Sequence, residues 1–196
     1  VGVYYVIDEN VTLSNTGIFK AFLKYNDHKK VVRKNDYVRG YADLGVEEFK
    51  VMEDFGQKYP MFSLTEQMMF LRNSGTKNTS KDTFKKGVFE IADIKKAHKW
   101  AEGILQLKPY FEKGYNKSVF IRTMLTILEK NKKFNLEEFI HKVSVRPTSI
   151  HLCGDKRSYS EMIEEIYNYR RRNEEKIQIR FLSLIHISEP TRRRGI

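Results

Sequence analysis

The sequence predicts a mainly α-helical, multi-helix domain. Apolar residues recur three and four positions apart through most of the chain, the spacing of core-facing helices. Helix-capping signals stand where those stripes begin, and glycine or proline stands where several of them end. Alternation of the β type is confined to two short runs, Val3–Ile7 and Val88–Ile91. With 40% hydrophobic and 31% charged residues in 196 positions, the chain is too apolar for wholesale disorder. A chain of this length can bury roughly 70% of its unfolded surface.

Taken in order, the opening run Val3-Tyr-Tyr-Val-Ile7 has nothing before it to pair with. Residues 1–10 are therefore expected to be the remnant of a truncated domain. A helical stretch is expected near 12–25, with Ile18, Phe22 and Tyr25 on one face. Asn35 is the expected cap of a helix over 36–44, which Gly45 stops. The next helix, 46–58, should bury Val46, Phe49, Met52 and Phe55. Ser63-Leu-Thr-Glu66 reads as a capping box opening a helix to about Asn73, with Gly75 beyond its end. Residues 72–87 are polar, contain glycine and lack an apolar period, so they read as a loop, with a candidate sub-boundary at 74–87. A small β piece is expected at 88–91.

Four more helices follow. That over 93–107 carries Ile94, Ala97, Ala101, Ile104 and Leu105 on one stripe and closes before Pro109. The helix over 117–131 has a broad apolar face (Phe120, Ile121, Met124, Leu125, Ile127, Leu128) and should be central. Residues 135–144 should turn Leu136, Phe139, Ile140 and Val143 inward, and a last helix should span 158–173. The helical region runs over 11–182. The tail from Ser183 to Ile196 resembles translated sequencing-adapter read-through and is expected to be non-native.

The search for chemistry along this frame mostly excludes. No run approaches the roughly 18 apolar residues of a membrane span. A single cysteine, Cys153, rules out an internal disulfide framework and a multi-cysteine zinc site, and suits a reducing compartment, taken to be the cytoplasm. The histidines form no zinc-type spacing. His151 and Cys153 read as a loop histidine and a half-buried thiol, and His98 as a core histidine with one satisfied nitrogen. Paired acids (Glu47-Glu48, Glu137-Glu138, Glu164-Glu165) fall in the first halves of helices, where the dipole favours them. No nucleophile elbow, phosphate loop or dinucleotide fingerprint is present, so neither catalytic residue, metal nor cofactor is expected.

What remains is positive charge. There are 36 Lys and Arg against 25 Asp and Glu, a net +11, and +9 without the three arginines and one glutamate of the tail. Seven cations lie between Lys20 and Arg39 against Asp27 and Asp36, with Tyr25, Tyr37 and nearby Tyr41 interleaved. Such a segment can neutralise phosphates and release their counterions. The loop adds Arg72, Lys77, Lys81, Lys85 and Lys86 against Asp82; a solvated face explains that cluster equally well. In the run Arg170-Arg171-Arg172, a helix turning about 100° per residue points the first and third roughly 200° apart. Arg170 is expected to lay its stem on the core, leaving Arg171 and Arg172 as candidate contacts. Helices 46–58 and 63–73 also suggest a helix-turn-helix, with Thr65, Gln67 and Arg72 as exposed readers; Pro60 in the turn argues against it.

Three phrases carry a resemblance: Val3-Tyr-Tyr-Val-Ile-Asp-Glu-Asn-Val-Thr-Leu13, Lys34-Asn-Asp-Tyr-Val-Arg-Gly-Tyr-Ala-Asp-Leu-Gly45 and Glu164-Glu-Ile-Tyr-Asn-Tyr-Arg-Arg-Arg-Asn173. In this order the chain resembles, over most of 3–181, the later part of phage and plasmid proteins with an N-terminal ParB-like (ParB/sulfiredoxin-fold) domain. That module carries an Asp-Gly-x-His-Arg motif linked to nucleotide or nuclease activity. The motif is missing from this sequence, so the resemblance implies no catalytic residue here. It implies a helical, DNA-associated region, encoded by a phage or bacterium. The expected partner is nucleic acid, duplex DNA above all, with a homodimer as a further candidate. Lys29, Lys30, Arg33, Lys34 and Arg39 are the expected phosphate contacts, and Gln67 and Arg72 secondary candidates for base reading. The alternatives are a non-catalytic support region of a ParB-like nuclease or nucleotide hydrolase, and a protein–protein adaptor.

Overall fold

The computed structural model describes residues 33–76 and 84–179, together with Gly17 and Ala21. Among them are seven α-helices and two short 3-10 turns, Pro147–Ser149 and Asn173–Glu175. The helices are α1 (Lys34–Asp43), α2 (Glu47–Lys58), α3 (Leu64–Leu71), α4 (Ile94–Leu105), α5 (Ser118–Lys130), α6 (Leu136–Val145) and α7 (Lys156–Asn168). The mainly α expectation holds. The opening strand, the helix near 12–25 (except Gly17 and Ala21, both helical) and the tail lie outside the described residues.

The caps explain the boundaries. At α1 the helix begins two residues before the expected start: the Asp36 carboxylate turns back to accept from the Arg33 amide at 2.9 Å, making Arg33, not Asn35, the cap position. Gly45, at φ +85°, then reverses the chain. At α3 the Glu66 carboxylate accepts from the Ser63 amide at 2.6 Å, as the capping box requires. Asp93, Asn135 and Asp155 cap α4, α6 and α7 through their side-chain oxygens. Asp155 starts α7 two residues earlier than its apolar stripe suggests.

Packing places α3 and α5 at the centre. α1 lies on α2, and α3 touches α2, α4 and α5. α5 supports α7, and α6 bridges α4 and α7. On α5, Phe120, Ile121 and Thr123 to Ile127 are all buried, as the broad apolar face implies. Buried apolar residues from both sides of segment 74–87 belong to one cluster: Tyr41 meets Phe49, Tyr37 and Phe49 meet Phe84, and Phe84 meets Phe89.

Residues 88–91 do not form a strand. Their alternation is present, with Phe89 buried between exposed Val88 and Glu90, but the segment lies across helices. Its end is fixed by a single backbone bond from the Ala92 amide to the Leu71 carbonyl, 2.9 Å. A strand needs a neighbouring strand to complete its ladder, and none stands there among the described residues.

Candidate nucleic-acid interface

The expected contacts divide sharply once the helices are placed. Lys29 and Lys30 lie outside the described residues. Arg33, Lys34 and Arg39 are exposed, and none makes an ion pair or side-chain hydrogen bond among the described residues. Arg33 and Lys34 stand at the N-terminal end of α1, where a cation is disfavoured by the helix dipole and an anion favoured. The acid at this end, Asp36, is engaged with the Arg33 backbone amide. Arg39 lies one turn beyond Asn35 and lines with it an open groove of about 430 Å³, whose other wall includes Glu53, Gln57 and Ser63.

Gln67 is not a reader. It is 8% exposed, and its amide nitrogen donates to the Phe62 carbonyl at 2.7 Å. It therefore satisfies the backbone of the turn before α3, the task of a buried amide. The helix-turn-helix reading fails with it. Six of the eight α3 residues, Glu66 to Leu71, are buried, so the proposed reader belongs to the core and displays only Thr65, in its first turn, as an exposed residue.

Arg72 is half-buried, its guanidinium 4.7 Å from the centre of the Phe89 ring and its Nε without a hydrogen-bond partner. Burial pulls its pKa down, opposed by nearby Glu90. The group covers apolar surface and is not displayed for base reading. In the adjoining loop, Lys86 is exposed, Lys85 is half-buried, and Lys77 and Lys81 lie outside the described residues.

In the arginine run, Arg170 and Arg171 exchange their expected roles, while Arg172 stays exposed as expected. α7 ends at Asn168, Tyr169 is extended, and Arg170 adopts φ 58°. Arg170 is exposed, instead of continuing the apolar stripe. Arg171 turns inward, bonds the Glu138 carboxylate and lies 4.4 Å over the Tyr167 ring. It is held structurally and is no free phosphate contact; Arg172 is exposed and unpaired among the described residues. Helical period predicted these directions only while the helix continued.

A polar cluster that sequence reading reduced to one histidine lies between α2 and α4. His98 Nδ1 is 2.9 Å from the Tyr59 hydroxyl, which donates to Glu102 Oε1 at 3.0 Å, and Lys58 Nζ donates to the same oxygen at 2.9 Å. With the hydroxyl proton directed at Glu102, Nδ1 is the donor to Tyr59 and Nε2 is unprotonated. Burial depresses the His98 pKa, the Lys58 ammonium depresses it further, and Glu102 partly opposes both. The cluster borders a cleft of about 480 Å³ that also carries Lys95, Lys99 and Glu137, but Lys58 and Lys99 are paired to Glu102 and Glu137. Its charges are largely satisfied internally. No group of three metal-ligating side chains occurs among the described residues.

Comparison with protein-family models, curated proteins and solved structures finds no match to this chain.

Proposed function

We propose that this chain is a nucleic-acid-binding helical region of a ParB-like phage-type protein, engaging the phosphates of duplex DNA through cations at the start of α1. The observation that supports this reading most directly is the state of Arg33, Lys34 and Arg39: exposed and unpaired among the described residues. By contrast, Gln67, Arg72 and Arg171 are engaged with the protein itself. Two of the three free cations stand at a helix N-terminus, where a phosphate would meet both their charge and the favourable end of the helix dipole. Lys29 and Lys30 extend the same charged segment in sequence. Binding of this kind is set by phosphate neutralisation and carries no base choice.

The test is titration of a labelled DNA duplex at several salt concentrations. Each phosphate contact contributes about −0.9 to the slope of log affinity against log salt. Replacing Lys29, Lys30, Arg33 and Lys34 together by Ala should make that slope shallower by about 3.6 and weaken binding at low salt at least tenfold. Wild-type affinity and slope in the quadruple variant would overturn the proposal.

A further inference from the structure

The ends of α6 and α7 bring together a second cationic surface that neither helix carries alone. Arg146, the residue after α6, places its guanidinium carbon 4.0 Å from the centre of the Tyr169 ring. Arg170 lies 5.2 Å from the same ring. Lys142 fixes the turn between them, donating to the carbonyls of Tyr167 at 2.7 Å and Tyr169 at 2.8 Å. The structural needs of the junction are thus met by Lys142, Arg171 and Glu138. Arg146 and Arg170 are left over: among the described residues their guanidinium groups make neither an ion pair nor a hydrogen bond, and Tyr169 remains 36% exposed.

We infer that Arg146, Tyr169 and Arg170 form a binding site for single-stranded nucleic acid. A guanidinium stacked on an aromatic ring keeps its charge and its in-plane donors while losing rotamer freedom. It is thereby prepared to grip a phosphate in a forked geometry, and its flat outer face accepts an unstacked base. Paired bases inside a duplex cannot offer that face. The path of the strand is directed by the acids nearby. Tyr169 also borders a groove that carries Glu161, Glu164 and Glu165 with the single cation Lys176, so phosphates are favoured instead beside Arg146, Arg170 and exposed Arg172. This surface involves no residue of α1, so it stands or falls separately from the duplex reading.

The experiment is fluorescence anisotropy of a labelled oligo(dT) and an oligo(U) of the same length, with a DNA duplex measured in parallel. The double variant R146A/R170A should bind both single strands at least tenfold more weakly and the duplex within about threefold of wild type. Y169A should also weaken single-strand binding. K108A/K113A removes two exposed charges elsewhere and should leave it within about twofold. Thermal melts of each variant establish that it is folded. Should R146A/R170A unfold, R146K/R170K keeps the charge without the fork or the stack, and must still lose affinity. Affinity within twofold of wild type for both single strands in the folded arginine variant overturns the site. Equal losses for duplex and single strand overturn the assignment to unpaired nucleic acid. A loss for oligo(U) alone or oligo(dT) alone supports the site and shows that it distinguishes the two strands, which differ in the sugar 2′-hydroxyl and the base methyl group.

Discussion

Gly75 lies so close to α5 that a methyl group there would come within 2.3 Å of both the Arg122 carbonyl oxygen and Thr126 Oγ1. Real β-carbons do not approach backbone so nearly, and α5 cannot give way without disturbing its fully buried face. Gly75→Ala should therefore cost about 2–3 kcal/mol and lower the melting temperature by roughly 5–10 °C. Thr126→Ala should not rescue it, since the Arg122 carbonyl remains in the way. His98 makes a second case at the level of one side chain. Its folded pKa is depressed below the ordinary 6.5, so the unfolded chain binds the proton more readily. The contribution of neutral His98 is fully present above pH 6.5 and is lost as pH falls toward the folded value. Chemical denaturation between pH 7.5 and 5 should show stability falling with acid. His98→Gln should flatten that slope; an unchanged slope would remove His98 as its origin.

At the scale of elements, the junction of α6 and α7 depends on Glu138. Its carboxyl sits below the usual carboxylate range: burial pushes it up, but hydrogen bonds from Arg171 and Tyr167 and the charges of Arg171 and Lys142 outweigh that. Because the folded value is lowered, this stabilisation is present above the unfolded value near 4.5 and disappears as pH falls through the folded one. Glu138→Gln should cost about 1 kcal/mol at neutral pH, the partial exposure of the pair limiting the loss. It should also flatten the acid limb of the stability profile below pH 4.5, measured by denaturant unfolding. The elements themselves were largely readable in advance. Phe49, Met52 and Phe55 on α2, and Leu136, Phe139, Ile140 and Val143 on α6, are buried as their spacing implies. Among the helices, the boundary misreadings sit at the ends of α1 and α7. Asp155 caps α7 before its stripe begins, and the stripe read past Asn168 assigned Arg170 and Arg171 to the wrong faces.

For the whole molecule, the distribution of charge matters more than its sum. Of the expected contact residues, those on α1 are the ones left unpaired and displayed, along with Arg172; the others are absorbed in packing or lie outside the described residues. The second basic surface escaped sequence reading because Arg146 and Arg170 lie 24 positions apart and no local pattern links them. The same is true of Tyr59, His98 and Glu102, joined across two helices. Helix type and inward faces follow from neighbours three and four residues away, so composition and spacing are enough to set them. Whether a polar or cationic side chain is free depends on what a distant segment brings against it, and that is settled when the helices pack. Gln67 illustrates the difference: its place on a helix was evident from a capping box four residues earlier, but its burial was imposed by α2, α4 and α5 closing around α3.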